Sequence, residues 1–242
     1  MKKETISEVI KSVKNPITDR IDSMFQKELE EIYSNIEYTF FILKKVIDTG
    51  DSPDNDFHTA SMLWTFQNTI ISSISLLRQG YLLEPMMLLR NAVEGFSVAY
   101  AIQRSSLLFK KFKSNPRKFP SSKQISVLSK DFPLVVKIYG LLNNYTHASE
   151  FHAVPNVNTK SFKVGPGISD EESKYFKLEI IMIKQLIYIL SAITEYSYIK
   201  YFIPERFWRM DKENGSLQFK KFDLEELELA IKDLDTYGAI NL

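Results

Sequence analysis

From Leu76 to Tyr100 the chain reads LLRQGYLLEPMMLLRNAVEGFSVAY, and the polar residues of its second half fall on one line. Stepping about 100° per residue from Met86 places Leu89, Ala92, Val93, Phe96, Ala99 and Tyr100 on a wide apolar arc. Arg90, Glu94 and Ser97 share a narrow strip beside it. Met87, Leu88, Val98 and Ile102 make most of the remaining circumference apolar. A helix of that pattern belongs at the centre of a fold, with its polar strip buried or lining a cleft.

The same periodicity continues on both sides. Ile6–Lys14 reads as a short leading helix that stops at Asn15-Pro16, because a residue before proline is pushed out of the α region. Ile21, Met24, Phe25, Leu29, Ile32, Ile36, Phe40, Leu43 and Ile47 repeat at three and four, predicting one long helix over Ile17–Asp48 that ends at Gly50. After a polar turn, Asp56 is placed to cap a second helix through Trp64, Ile70, Ile74 and Leu77 to Gly80. Glu84 and Pro85 suit the first turn of the third, so the two form a hairpin across Gly80. Leu107–Lys123 reads as a partly helical, exposed connection. Pro133 opens a fourth main helix ending near His147. Residues 148–170 read as a long loop, and Asp170–Phe202 as a fifth, strongly apolar helix stopped before Pro204. Asn214-Gly215 predicts a small hairpin with LQFKKF as its better strand, and Asp223 with Glu226 forms a capping box before a last helix on Leu224, Leu227, Ile231 and Leu234. The fold expected is all-α: an up-and-down bundle over residues 1–203, with a hairpin-and-helix appendage over 204–242 packed on the same domain.

Composition narrows the picture. With only 8 glycines and 9 prolines in 242 residues there is little material for the turns of an all-β fold. Lys plus Arg at 31 against Asp plus Glu at 30 leaves a net charge of +1, so any attraction to nucleic acid or anionic membrane is local. The chain has no cysteine, which excludes disulfides, thiolate nucleophiles and Cys-ligated zinc and fits a cytoplasmic setting. The N-terminus lacks the apolar core of a secretory signal, and the run Ile180–Ile193 is interrupted by Lys184 and Gln185 and too short to cross a bilayer, so no membrane partner is expected. There is no Gly-rich phosphate loop, no Gly-x-Ser-x-Gly and no His-Glu-x-x-His. No cofactor is called for.

Three groups carry candidate chemistry. Arg90 and Glu94 stand four apart, where a guanidinium and a carboxylate meet on a helix; both a register-fixing ion pair and a ligand or catalytic role are open. Asn143, Asn144, Tyr145 and His147 end a helix that should pack against the third one. His147 either works on protons or caps the helix end against its dipole. His147, Glu150 and His152 do not share one face as metal ligands would. Finally Lys110, Lys111, Lys113, Arg117, Lys118 and Lys123 occur without an acidic residue and are interleaved with Phe109, Phe112 and Phe119. That is the chemistry of a nucleic-acid contact, and equally of a solvated loop. The aromatic stripe Tyr188, Tyr196, Tyr198, Tyr201 and Phe202 reads as core or oligomer interface.

The pairing of LLRQGYLLEPMMLLRNAVE with YGLLNNYTHAS resembles bacterial helical proteins related to the HEPN superfamily. Arg90 and Glu94 match an Arg-x-x-x-Glu helix, and Tyr139, Leu142 and His147 match the segment that packs beside it. The resemblance spans about Trp64–Ser149. It implies a helical bundle, often dimeric, among RNA-cleaving toxins, abortive-infection proteins and RNA-processing accessories, with RNA and an antitoxin or defence-system protein as partners. Leu142 stands where HEPN ribonucleases carry arginine, so the site is either incomplete or rebuilt with Arg90 or Arg78. The reading that follows is metal-independent RNA cleavage in phage defence or stress, with His147 moving the proton of the attacking 2′-hydroxyl, Arg90 neutralising the phosphorane and Asn143 orienting the phosphate. Its rivals are a noncatalytic homodimerisation module and a sensor of small anionic ligands.

Overall fold

Five helices close around one. The computed structural model describes residues 16–48, 53–146, 157–158, 163–164, 173–199, 201, 206–210, 217–219 and 229. Its helices are α1 (Pro16–Met24), α2 (Gln26–Asp48), α3 (Asp54–Arg78), α4 (Leu83–Arg104), α5 (Ser106–Ser114), α6 (Ser121–Leu128), α7 (Leu134–Thr146) and α8 (Ser173–Ser197), with a 3₁₀ turn at Pro116–Lys118. α4 touches α3, α5, α6, α7 and α8, while α2 lies along α8 and α3. The described residues form an all-α helical bundle with α4 at its centre.

The expected helix over Ile17–Asp48 is divided at Phe25. The division is local, because the Phe25 N–H still bonds the Ile21 carbonyl at 3.0 Å and the Leu29 N–H bonds the Phe25 carbonyl at 2.9 Å. α3 starts at Asp54, directly after an extended Pro53, and Asp56 is not its cap. The Asp56 carboxylate instead accepts from Gln103 Nε2 at 3.2 Å and from the Tyr201 hydroxyl at 2.8 Å, and its carbonyl accepts from the Tyr198 hydroxyl at 3.1 Å. A buried carboxylate with tertiary donors is more stable there than one spent on its own helix end. At the other end of α3, Gly80 has φ 91°, and the Tyr81 N–H reaches back to the Leu76 carbonyl at 3.2 Å. This left-handed stop turns the chain into α4.

Phe66 of α3 meets α4 at Gly95. A β-carbon there would lie 1.9 Å from Cζ of Phe66, so the bare backbone of α4 is the seat of that ring. Met87, counted on the apolar circumference, is exposed, whereas Ala92, Val93, Phe96 and Ala99 are fully enclosed.

The stretch 107–123 is α5, the 3₁₀ turn and the start of α6, and none of α5 is buried. Inside the segment expected to be a long loop, β1 (Val157–Asn158) and β2 (Lys163–Val164) pair antiparallel. The C-terminal hairpin is β3 (Trp208–Met210) with β4 (Leu217–Phe219), Trp208 opposite Phe219. Its attachment is specific: Trp208 Nε1 donates to the Ala192 carbonyl at 2.8 Å, and the buried Glu195 carboxylate accepts the backbone N–H of Arg206 at 3.0 Å and of Phe207 at 2.8 Å. Of the aromatic stripe, Tyr198 is enclosed and Tyr188, Tyr196 and Tyr201 pack against the core. The helices expected at Ile6–Lys14 and after Asp223 lie outside the described residues, save Leu229.

Candidate functional sites

The polar strip of α4 meets α7. Arg90 Nε donates to Glu94 Oε1 at 3.2 Å, and the Tyr139 hydroxyl donates to the same oxygen at 2.7 Å. The guanidinium carbon lies 5.9 Å from the centroid of the Tyr139 ring. Burial, and then the bond to Glu94, push the Tyr139 hydroxyl above its ordinary pKa, so it stays a donor. Arg90 and Glu94 keep 29% and 31% of their side-chain surface, which puts them at the edge of the bundle. Asn143 is one helical turn beyond Tyr139 and shares its face of α7, with Asn144 beside it. Ser97 leaves the strip: it is buried and donates to the Val93 carbonyl at 2.6 Å. Leu142 is fully enclosed in the core. The side chain of Tyr145 and all of His147 lie outside the described residues.

The strip is electrically closed. One cation and one anion sit within a helical turn, bridged by a phenol, and such a cluster fixes the rotation of α7 against α4. Arg78 is held elsewhere. Only 2% exposed, it grips Asp22 of α1 through Nε and Nη2 at 2.7 and 2.6 Å. The Thr18 hydroxyl donates to the Arg78 carbonyl at 2.9 Å, so α1 is fastened to the end of α3 by side chain and backbone together.

A second polar surface is the outside of α5. Lys110, Lys111 and Arg117 are exposed and have no acidic partner among the described residues, whereas Lys113 pairs with Asp54 at the start of α3. Nothing is described of the Lys118 side chain. The phenylalanines between them turn inward: the Phe109 ring lies edge-on to His58 at 5.6 Å, and Phe112 lies edge-on to Phe119 at 5.6 Å. The cations therefore share a short helix whose other side is aromatic.

Three carboxylates prove to be structural: Asp56, expected as a helix cap, and Glu195 and Glu179, which periodicity did not single out. Asp56 and Glu195 tie loop ends to the bundle, as above. Glu179 of α8 is wholly buried, and neither of its oxygens has a hydrogen-bond partner among the described residues. Burial, with a smaller contribution from Glu84, raises its pKa well above the ordinary carboxylate value and so favours the neutral acid. Its only signal in the sequence is an acid in the midst of FKLEIIMI. Among the described residues no three His, Asp or Glu side chains are grouped to hold a metal ion, and no helix is long and apolar enough to cross a membrane. No family model, curated protein or solved structure matches the chain.

Proposed function

We propose that this is an HEPN-like protein that binds RNA through the outer face of α5. The observation that carries the reading is the set Lys110, Lys111 and Arg117: three exposed cations on a short helix and its following turn, without acidic partners among the described residues, in a molecule whose net charge is only +1. Unneutralised cations on a compact patch gain affinity for a phosphate backbone by releasing its counterions. In a protein with so little overall charge that attraction is confined to one surface.

Fluorescence anisotropy with a labelled single-stranded RNA tests it. The double variant Lys110→Glu, Lys111→Glu is expected to weaken binding by at least tenfold and to lower the salt slope by about 1.4, two phosphate contacts at about 0.7 each. Wild-type protein that does not bind RNA at 50 mM salt, or a double variant with the wild-type slope, overturns the reading.

Cleavage is a second activity supported by one geometric relationship, the meeting of Arg90 with the Asn143 face of α7. The same RNA, incubated with wild-type protein and His147→Ala, decides it. Cutting that persists in the variant removes His147 as the proton-transfer group.

A further inference from the structure

Beside the cations of α5 lies a groove of about 410 Å³, formed by one face of α3 and closed on one side by Phe112. Its walls include Phe57, Met62 and Phe66, and its polar lining is His58, Ser61 and Thr65. The volume falls within the range of small-ligand sites, and the mixture of aromatic walls with few polar groups is what such sites share. Three features make it more than a gap between helices.

The first is that its aromatic walls are held. Phe112 is braced from outside by Phe119, and Phe66 rests on the backbone of α4 at Gly95, where no side chain but hydrogen fits beneath it. Phe57 stands at the rim with 46% of its surface exposed. The second is that polar valences are left over. His58 Nδ1 is occupied by Asp54, at 2.8 Å from its carbonyl oxygen and 3.0 Å from its carboxylate, which leaves Nε2 with no partner among the described residues. The Ser61 hydroxyl has none either, since Thr65 takes the Ser61 carbonyl and not its side chain. The third is charge. On α5, Lys111 and Lys113 lie about 100° to either side of Phe112. Lys113 is committed to Asp54, and Lys111 is unpaired among the described residues. The groove thus offers an aromatic slot, two open hydrogen-bonding groups and one available cation at its edge.

We propose that the α3–α5 groove seats one unpaired base of a single RNA strand, its ring against Phe112 and Phe66, its edge on His58 Nε2 and Ser61 Oγ, and its phosphate on Lys111. The inference rests on the RNA-binding reading above and adds to it a place for a base and a preference for single strands. An apolar peptide helix would fill the slot but leave the cations of α5 unanswered; a nucleotide matches both, because every base has a face to stack and every linkage has a charge.

The test separates stacking from charge. Phe112→Ala is expected to weaken binding of a labelled single-stranded decamer about tenfold while leaving the salt slope unchanged, because a ring releases no counterions. Lys111→Ala is expected to lower that slope by about 0.7. Gly95→Ala, which drives the Phe66 ring up into the groove, is expected to act like Phe112→Ala, and circular dichroism checks that both variants keep their helices. Duplex RNA of the same length is expected to compete at least tenfold less well than single strands. If the RNA binds but Phe112→Ala and Gly95→Ala bind it as wild type does, the base seat is overturned and the RNA reading stands. Equal competition by duplex overturns it likewise. If no RNA binds, both fall. A Phe112→Ala variant that changes only the sedimenting mass of the protein assigns the groove to a second copy of the chain and also overturns the proposal.

Discussion

The Tyr139 hydroxyl donates to Glu94 Oε1 at 2.7 Å, and this one bond joins the strip on α4 to the face of α7 that carries Asn143. It defines what Arg90 does in the folded protein. The guanidinium shares its acceptor with a phenol, so the three groups act as a unit.

Removing one member should therefore reveal coupling. Tyr139→Phe deletes a hydrogen bond to a charged acceptor at the edge of the bundle and is expected to lower stability by about 1 kcal/mol. Arg90→Ala leaves Glu94 still bonded to Tyr139 and is expected to be of similar size, lost chiefly as packing against the ring. The double variant should fall short of the sum by about 0.5 kcal/mol or more. Urea denaturation of the four proteins measures it, and strict additivity would show that the cluster is not a unit.

The Asp22–Arg78 pair predicts an asymmetry. Arg78 is 2% exposed, while Asp22 keeps a quarter of its surface and lines a cleft with Ser23, Gln26 and Glu30. Taking away Asp22 removes a two-pronged carboxylate from a buried cation, and Asp22→Ala is expected to cost about 3–5 kcal/mol. Arg78→Met leaves a carboxylate that water can reach and fills the space with hydrocarbon, so its cost is expected to be smaller by 2 kcal/mol or more. Equal losses in thermal melts would contradict this account. Nearby Tyr33, whose pKa burial pushes up to about 12, stays neutral in both variants over the working range.

Much of this architecture is legible from spacing alone. The apolar arc through Leu89, Val93 and Phe96 identifies the central helix because a helix packed against several others needs a wide apolar face. Gly80, Pro85 and Pro133 mark the turns because their backbone constraints act locally. What spacing does not carry is tertiary pairing. Asp56 looks like a cap in sequence, since a cap is the local use of an acid before a helix, and only the fold brings Gln103 and Tyr201 to it. The groove partners are of the same kind: nothing in the chain relates Gly95 to Phe66, or His58 to Phe109, until α3, α4 and α5 are in place. The basic run 110–118, by contrast, is visible in sequence because it needs no partner.

The attachment of the hairpin draws two of its bonds from one side chain, Glu195. Glu195 accepts from the backbone N–H of both Arg206 and Phe207 and from the Tyr38 hydroxyl, the bond to Phe207 being the buried one. Glu195→Ala leaves those donors without their acceptor, at about 1–3 kcal/mol for each group that stays buried. The expected outcome is early proteolytic cleavage near Arg206, ahead of global unfolding, with the helical signal retained. Cleavage at the wild-type rate would mean that Trp208 and its bond to Ala192 suffice.

Glu179 gives the protein a stability that falls as pH rises. Its pKa is raised in the folded state, so between the ordinary carboxylate value near 4.3 and that raised value the folded protein holds a proton that the unfolded chain has released. The contribution is fully present below the unfolded pKa and declines above it, opposite in sign to the usual salt-bridged acid. Replacing the carboxyl with hydrocarbon of similar length removes the effect. Glu179→Met is therefore expected to melt about 2–8 °C above wild type at pH 8, corresponding to about 1–2 kcal/mol, and much closer to it at pH 4.5. Thermal melts at the two pH values measure the difference. A gap that is the same at both would mean that Glu179 is charged in the folded protein or finds a partner there, and that its burial among the hydrocarbon of α8 carries no titration.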